Sequence, residues 1–407
     1  MVSVLLFACA PAIHLAALPL PIGPEIHVAP VGNGDRTLLG SQVATFPDGG
    51  FVVVWTVGQP GGAVLHARLF AADGTPAGHE FQLVRSFGSQ GVDSVAALGD
   101  GSFAVAYEQR NAANRSIVLA ARFDNDGKVI VRPFRVHAAS GHSRYGGIVA
   151  ADPTDPSGGG FAVAWTASEG KAYDPLTSVD NTYVRRFTAD GVPLWPEIRV
   201  SNETPTDFPA AFASGLAVAA DGSLSVAVSV FEDSVFPLMY LLDPSGTRRG
   251  VVGGTGIGIA TNATVILTSA GTQVFAFSDG VSPGDASFLP FDSNVWAVLF
   301  AADGTVLHEQ LQINRRGSFE VQPWLAPSPD GGFVAVWTDG RGRDGDGTGV
   351  FGRAFAADGT PLTRDFRVNI TTAGDQVANG IAANASGDTV VVWSGPQGLF
   401  ARRLSRP

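Results

Sequence analysis

Acids outnumber bases by 37 to 26 in this 407-residue chain, and a group of them falls in one class of loop. Seven times a strand-like segment closes on an aromatic or apolar residue, and a loop of variable length follows. Those loops hold twelve acids: Glu108, Glu169, Asp174, Asp180, Glu232, Asp233, Asp279, Asp285, Asp292, Asp339, Asp344 and Asp346. Against them stand five bases, Arg110, Arg115, Lys171, Arg341 and Arg343. Such a surface repels phosphate backbones and can draw in metal ions or hydrogen-bond sugar hydroxyls, although a merely solvated acidic face has the same composition. Glu108, Arg110, His142, Arg144, Tyr145, Asp174, Asp279, Asp339 and Arg341 are the candidate ligand-binding residues, because they bring charge, hydrogen-bonding capacity or an aromatic ring to the variable loops.

The run Asp344-Gly345-Asp346-Gly347-Thr348-Gly349 is the candidate metal site. Calcium takes oxygen ligands, and alternating Asp with Gly lets carboxylates and backbone carbonyls converge on it. Asp344 and Asp346 would be the ligands; the distal Glu of an EF-hand is missing, and a flexible acidic turn has the same pattern. No His and Cys spacing suits zinc, and no Gly-x-Ser-x-Gly elbow occurs. Two loop carboxylates could serve as acid and base of a glycosidase, but spacing along the chain does not say which two stand close.

The elements that carry these loops repeat. Asp48-Gly49-Gly50-Phe51-Val52-Val53-Val54-Trp55 recurs as Asp330-Gly331-Gly332-Phe333-Val334-Ala335-Val336-Trp337, and weaker copies end at Tyr107, Trp165, Val228, Phe277 and Trp393. A period of 49 to 63 residues points to a solenoid, propeller or array. Phe-x-Val-x-Trp alternates with period two, as a strand requires. A short apolar run precedes each copy. A third strand follows and ends in Asp-Gly, as at Asp73-Gly74, Asp303-Gly304 and Asp358-Gly359, where glycine supplies the positive φ of a tight turn. A fourth strand of the type Glu80-Phe81-Gln82-Leu83 completes the unit. Helix signals are nearly absent. The expected fold is all-β, a seven-bladed β-propeller of four-stranded antiparallel blades; six or eight blades are the alternatives if the weak region 208–314 divides differently. The recurring aromatics are expected between blades, as core.

The ends complement each other. The seventh copy has no fourth strand before Pro407, while Glu25-Ile26-His27-Val28 matches a fourth strand with no blade before it. The N-terminal strand would then complete the last blade, closing the ring and removing its open edge. Residues 25–407 read as one propeller domain and residues 1–24 as a signal peptide and leader, since Met1 to Leu20 carries no Asp, Glu, Lys or Arg. Pro11, Pro19 and Pro21 argue against a membrane span. Cys9 follows Leu6-Phe7-Ala8, a poor lipobox, so a secreted or periplasmic protein is favoured over a surface lipoprotein. With 45% hydrophobic residues a large core is assured, and a net charge of −11 leaves no basic surface for nucleic acid.

The motif Gly-Gly-Phe-Val-x-Val-Trp-Thr, a Gly/Asp-rich loop and a strand ending in Phe-x-Ala-Asp-Gly-Thr-Pro resembles a repeat of large secreted bacterial proteins, some with RTX-type calcium-binding tails. The fullest copy spans Gly331 to Pro361 and the next best Gly49 to Pro76. The resemblance implies a secreted propeller and little about activity; the RTX tail itself is absent from this sequence. The expected function is a non-catalytic binding or adhesion module, monomeric, for an extracellular glycan or protein, with calcium as the candidate ion. A glycan-active hydrolase or lyase using a carboxylate pair, and a purely structural repeat domain, are the alternatives.

Overall fold

The computed structural model describes residues 20–31, 37–60, 62–86, 92–111, 113–139, 142–169, 179–201, 210–231, 235–253, 261–278, 294–315 and 323–405. All their regular structure is β-strand, arranged as four-stranded antiparallel meanders in a propeller-like array. No helix among them is long and apolar enough to cross a membrane.

Sheet I comprises Thr37–Thr45, Phe51–Gln59, Gly62–Phe70 and Phe81–Ser86, and sheet II comprises Val92–Ala97, Phe103–Arg110, Ser116–Phe123 and Val129–Arg135. Sheets III (Arg144–Ala151, Phe161–Ser168, Asp180–Phe187, Ile198–Arg199) and IV (Ala210–Val218, Leu224–Phe231, Val235–Leu242, Arg248–Gly253) are joined by one parallel pair, Asp180 with Ala210. Sheet V holds Thr261–Leu267, Gln273–Ser278, Val295–Phe300 and Val306–Gln312; sheet VI holds Trp324–Pro327, Phe333–Asp339, Gly349–Phe355 and Phe366–Arg367. Sheet VII takes Val377–Ala383, Thr389–Gly395 and Gly398–Leu404 from one end of the chain and Pro21–Pro30 from the other, with Ile26 opposite Ala401. That last strand begins ahead of Glu25, where the sequence placed the start of the domain.

The second strands are buried on both faces, which explains their apolar runs. In sheet I, Phe51, Val53 and Trp55 pack against Val390 and Val392 of sheet VII, while Val52 and Val54 pack against Phe103 and Val105 of sheet II. Each hydrophobic cluster among the described residues lies in this way between two sheets: I–II, II–III, III–IV, IV–V, V–VI, VI–VII and VII–I. The first strands follow the same order, each against the next, and that of sheet VII against that of sheet I.

Two polar devices recur. Arg68, Arg185, Arg353 and Arg402, on third strands, each donate from Nη1 to the carbonyl of an apolar residue at the outer strand of the preceding sheet: Val28 at 3.1 Å, Val136 at 3.4 Å, Ile313 at 3.1 Å and Val368 at 2.6 Å. Val28 of the N-terminal strand thus plays for sheet I the part Val368 plays for sheet VII. In addition, buried His137, Ser201, Asn314 and Asn369 accept the N–H of Val118, Thr182, Val295 and Val350 in their own sheets. Burial lowers the His137 pKa to about 4, which keeps the imidazole neutral and able to accept.

The end carrying the first-to-second and third-to-fourth strand turns is rigid by local chemistry. At Asp73-Gly74-Thr75 the carboxylate accepts from the Thr75 N–H at 2.8 Å and its hydroxyl at 2.6 Å. Gly74 has φ +88°, and a Cβ there would come within 2.6 Å of Ile26 on the N-terminal strand, so glycine is required twice over.

Candidate functional site

The opposite end is shaped by bulges. The first strand shifts register between Leu38 and Gly40, Val92 and Ser94, Tyr145 and Ile148, Ala213 and Gly215, Thr261 and Thr264, and Ala378 and Gly380. A bulge bends its strand and re-aims a side chain. Asp93 is the extra residue in sheet II; Ser214 and Asn379 are its counterparts in sheets IV and VII.

A second position is set by the repeat. The residue after the recurring aromatic is Thr56, Thr166, Ser229, Ser278, Thr338 or Ser394 in six copies, and Glu108 in sheet II. In two of these copies the hydroxyl joins neighbouring sheets. Thr166 Oγ1 accepts the N–H of Ala213 and Thr338 Oγ1 that of Ala378, each at 3.0 Å, which fastens one sheet to the next. Sheet II therefore carries carboxyls at two positions where other sheets carry neutral groups, and both lie at the seam with sheet III.

Among the described residues, ionisable groups gather from that seam to the next one, between sheets III and IV. Asp93 accepts the Gly147 N–H at 3.0 Å. Gly147 permits the approach, because a Cβ there would lie 2.6 Å from Val118. Glu108 is 7% exposed and accepts the Ser116 hydroxyl at 2.5 Å. Tyr145 donates its phenol to Asp180 and packs 6.2 Å from Phe212 of sheet IV. Burial pushes the Asp93 carboxyl up to about 8, with the charge of Glu108 adding and the Gly147 N–H opposing. Burial also raises Glu108, against the pull of Ser116 and Arg110, and raises Asp180 against its bonds from Tyr145 and Ser168. Asp180 is 8% exposed, yet its Oδ1 has no hydrogen-bond partner. Asp93 and Tyr145 keep partial exposure. The two adjoining seams thus offer a carboxyl that burial keeps protonated near neutral pH, acceptor oxygens and an aromatic ring.

The sequence candidates divide accordingly. Glu108 and Tyr145 meet in the cluster. Arg110, at the end of its strand, donates to Asn114 at 3.1 Å. Arg144 is 6% exposed, with its guanidinium 5.9 Å from the Tyr183 ring centroid, and serves the wall of the seam. His142 is exposed beside it. Asp174 and Asp279 lie outside the described residues. Asp339 is fully buried and holds its own loop, accepting from Arg343 at 2.8 Å and from the Arg341 N–H at 3.1 Å. Arg341 itself is exposed. Asp344 accepts from Asn369 Nδ2 at 2.8 Å and Asp346 from the Gly374 N–H at 3.0 Å, so these carboxylates tie the loop to the chain entering sheet VII. No group of three potential metal ligands occurs among the described residues. Asp93 escaped the loop-based reading because it sits on a strand; aligning the copies on their aromatic position would have shown it as a charge where Ser214 and Asn379 stand.

A cavity of about 150 Å³ lies at another seam of the same end, between sheets VII and I, lined by Leu38, Leu39, Gly40, Ser41, Trp55, Asn379, Ser394 and Leu399. Among the recurring aromatics Trp55, Tyr107, Trp165, Phe277, Trp337 and Trp393 are all buried, as core residues should be.

No protein-family model and no curated protein matches the sequence. Solved structures do share the fold. A protein of unknown function from Dyadobacter fermentans aligns with a TM-score of 0.50 and 13% identity, over 94% of this chain and 99% of that one. An α-L-arabinofuranosidase from Fusarium graminearum, crystallised with an iminosugar inhibitor, aligns with a TM-score of 0.51 and 12% identity, over 94% and 98%. An ulvan lyase bound to its sugar aligns at a TM-score of 0.49 with 12% identity, over 82% and 80%. At these identities the likeness, carried by the alignments at TM-scores of 0.50 and 0.51, is one of fold alone.

Proposed function

We propose that the chain is a seven-bladed β-propeller closed by its Pro21–Pro30 strand, and that its variable-loop end recognises an extracellular glycan. Closure is supported by the hydrophobic cluster between sheets VII and I and by Arg68, which clasps Val28 as Arg402 clasps Val368. Export is supported by the uncharged apolar stretch Met1 to Leu20. The observation that carries the glycan reading is the pair of carboxyls, Asp93 and Glu108, placed where the repeat otherwise has neutral side chains. Burying them costs stability, which the bonds from the Gly147 N–H and the Ser116 hydroxyl offset in part; with the half-buried Tyr145 they bring donors, acceptors and a ring suited to sugar hydroxyls.

The same pair favours a second reading, hydrolysis of the bound glycan, in which a carboxyl held neutral donates a proton to the glycosidic oxygen while a neighbouring carboxylate takes one from water. The test is retention of the full chain on a glycan and polysaccharide array, followed by a reducing-sugar assay on whatever is retained. Retention without new reducing ends fits a binding module, and release of reducing ends fits the hydrolase. Retention on no glycan at all contradicts both.

A further inference from the structure

The seam between sheets VII and I departs from its counterparts in the opposite sense to the acidic seam. Thr166 and Thr338 fasten their seams by accepting an N–H from the next sheet. Ser394 holds the same repeat position in sheet VII, but among the described residues no group bonds its hydroxyl, and the cavity of about 150 Å³ lies there instead. Its polar lining is Ser394, Ser41 and Asn379; Asn379 Nδ2 donates to Ser41 Oγ at 2.9 Å, which leaves the Ser41 proton and the Asn379 side-chain Oδ1 for a guest. Its apolar lining includes Leu38, Trp55 and Leu39, the last 47% exposed at the rim. No charged side chain lines it.

We propose that this cavity is a subsite for a single uncharged sugar ring; the proposal rests on the reading of this end as glycan-binding. The size agrees, since a half-open space of about 150 Å³ holds one six-membered ring. The chemistry agrees as well. A pyranose has an apolar C–H face, which Leu38 and Leu39 match, and hydroxyls that both give and accept, which two hydroxyls and one amide match. A uronate or sulfated sugar would leave its charge without a counter-ion in the cavity, so neutral sugars are selected.

The test is saturation-transfer NMR on the full chain, with methyl glycosides of neutral hexoses and pentoses as probes and methyl glucuronide as the charged comparator. The expected result is transfer to at least one neutral glycoside and none to the glucuronide. Ser394→Leu, which fills the cavity, should abolish the transfer. Leu39→Ala, at an exposed position that leaves folding intact, should weaken the affinity about fivefold. Transfer undiminished in both variants overturns the proposal, and if that transfer then disappears in Tyr145→Phe, the sugar sits at the acidic seam and the glycan reading survives. No transfer to any neutral glycoside also overturns it; retention of a polysaccharide on the array would in that case preserve the broader reading, and its absence would end both.

Discussion

Asp93 and Glu108 show what a repeat protein reveals about itself. Six copies supply a control for the seventh, so a carboxyl in a hydroxyl position stands out without any relative for comparison. The physical cost lies in burial, which raises the Asp93 pKa from an ordinary 3.8 to about 8. Between those values the folded chain keeps a proton that the unfolded chain has released, so this residue makes stability fall as pH climbs through the window. The turn carboxylates have the opposite sign. Hydrogen bonds from their turns lower Asp73, Asp243, Asp303 and Asp358, so their contribution is present above about 3.8 and lost as pH falls below it. Asp93→Asn keeps an acceptor for Gly147 and removes the titration. Thermal melts should show the variant gaining on the wild-type protein from about pH 5 to about pH 8, where an equal difference at both ends would contradict the assignment. Loop acids were legible in the sequence as acids only: Asp339 accepts from Arg343 within its own loop, whereas Asn369, the partner of Asp344, comes close only after folding.

Strands and turns were far more legible than seams. Period-two alternation and Asp-Gly turns located the second and third strands, since both signals are local. The arginine clasps were not read, because each is completed by a different sheet, and the bulges were not, because an extra residue shows only against its paired strand. Their trace is nonetheless present: Arg68-Leu69-Phe70, Arg185-Arg186-Phe187 and Arg353-Ala354-Phe355 share an Arg two residues before a buried Phe, with the guanidinium 5.3 to 5.9 Å from the ring. If the N-terminal strand acts as an outer strand of sheet VII, its clasp should be worth what the others are worth. Arg68→Ala and Arg353→Ala should each destabilise by about 1–3 kcal/mol in denaturant titrations, by leaving a carbonyl without its charged donor. A silent Arg68→Ala beside a costly Arg353→Ala would contradict the equivalence.

Across the whole molecule the two ends divide the work. One end binds its aspartates into tight turns that fix the sheets. The other end interrupts its first strands with bulges and, among the described residues, carries an acidic region by sheets II and III and a neutral cavity between sheets VII and I. The sequence spacing anticipated a sheet for each aromatic position, including sheets IV and V in the weak region 208–314, because burial between neighbouring sheets imposes the same apolar pattern on each copy. It did not anticipate which seams are open, since that depends on single side chains meeting across sheets. Whether Glu108 serves a ligand and not the fold can be decided by array retention and melting temperature of Glu108→Thr beside the wild-type chain. Threonine restores the hydroxyl of the repeat, so a role in ligand binding requires an equal or higher melting temperature together with retention lowered about tenfold or more. Unchanged retention, or a lower melting temperature, would contradict it.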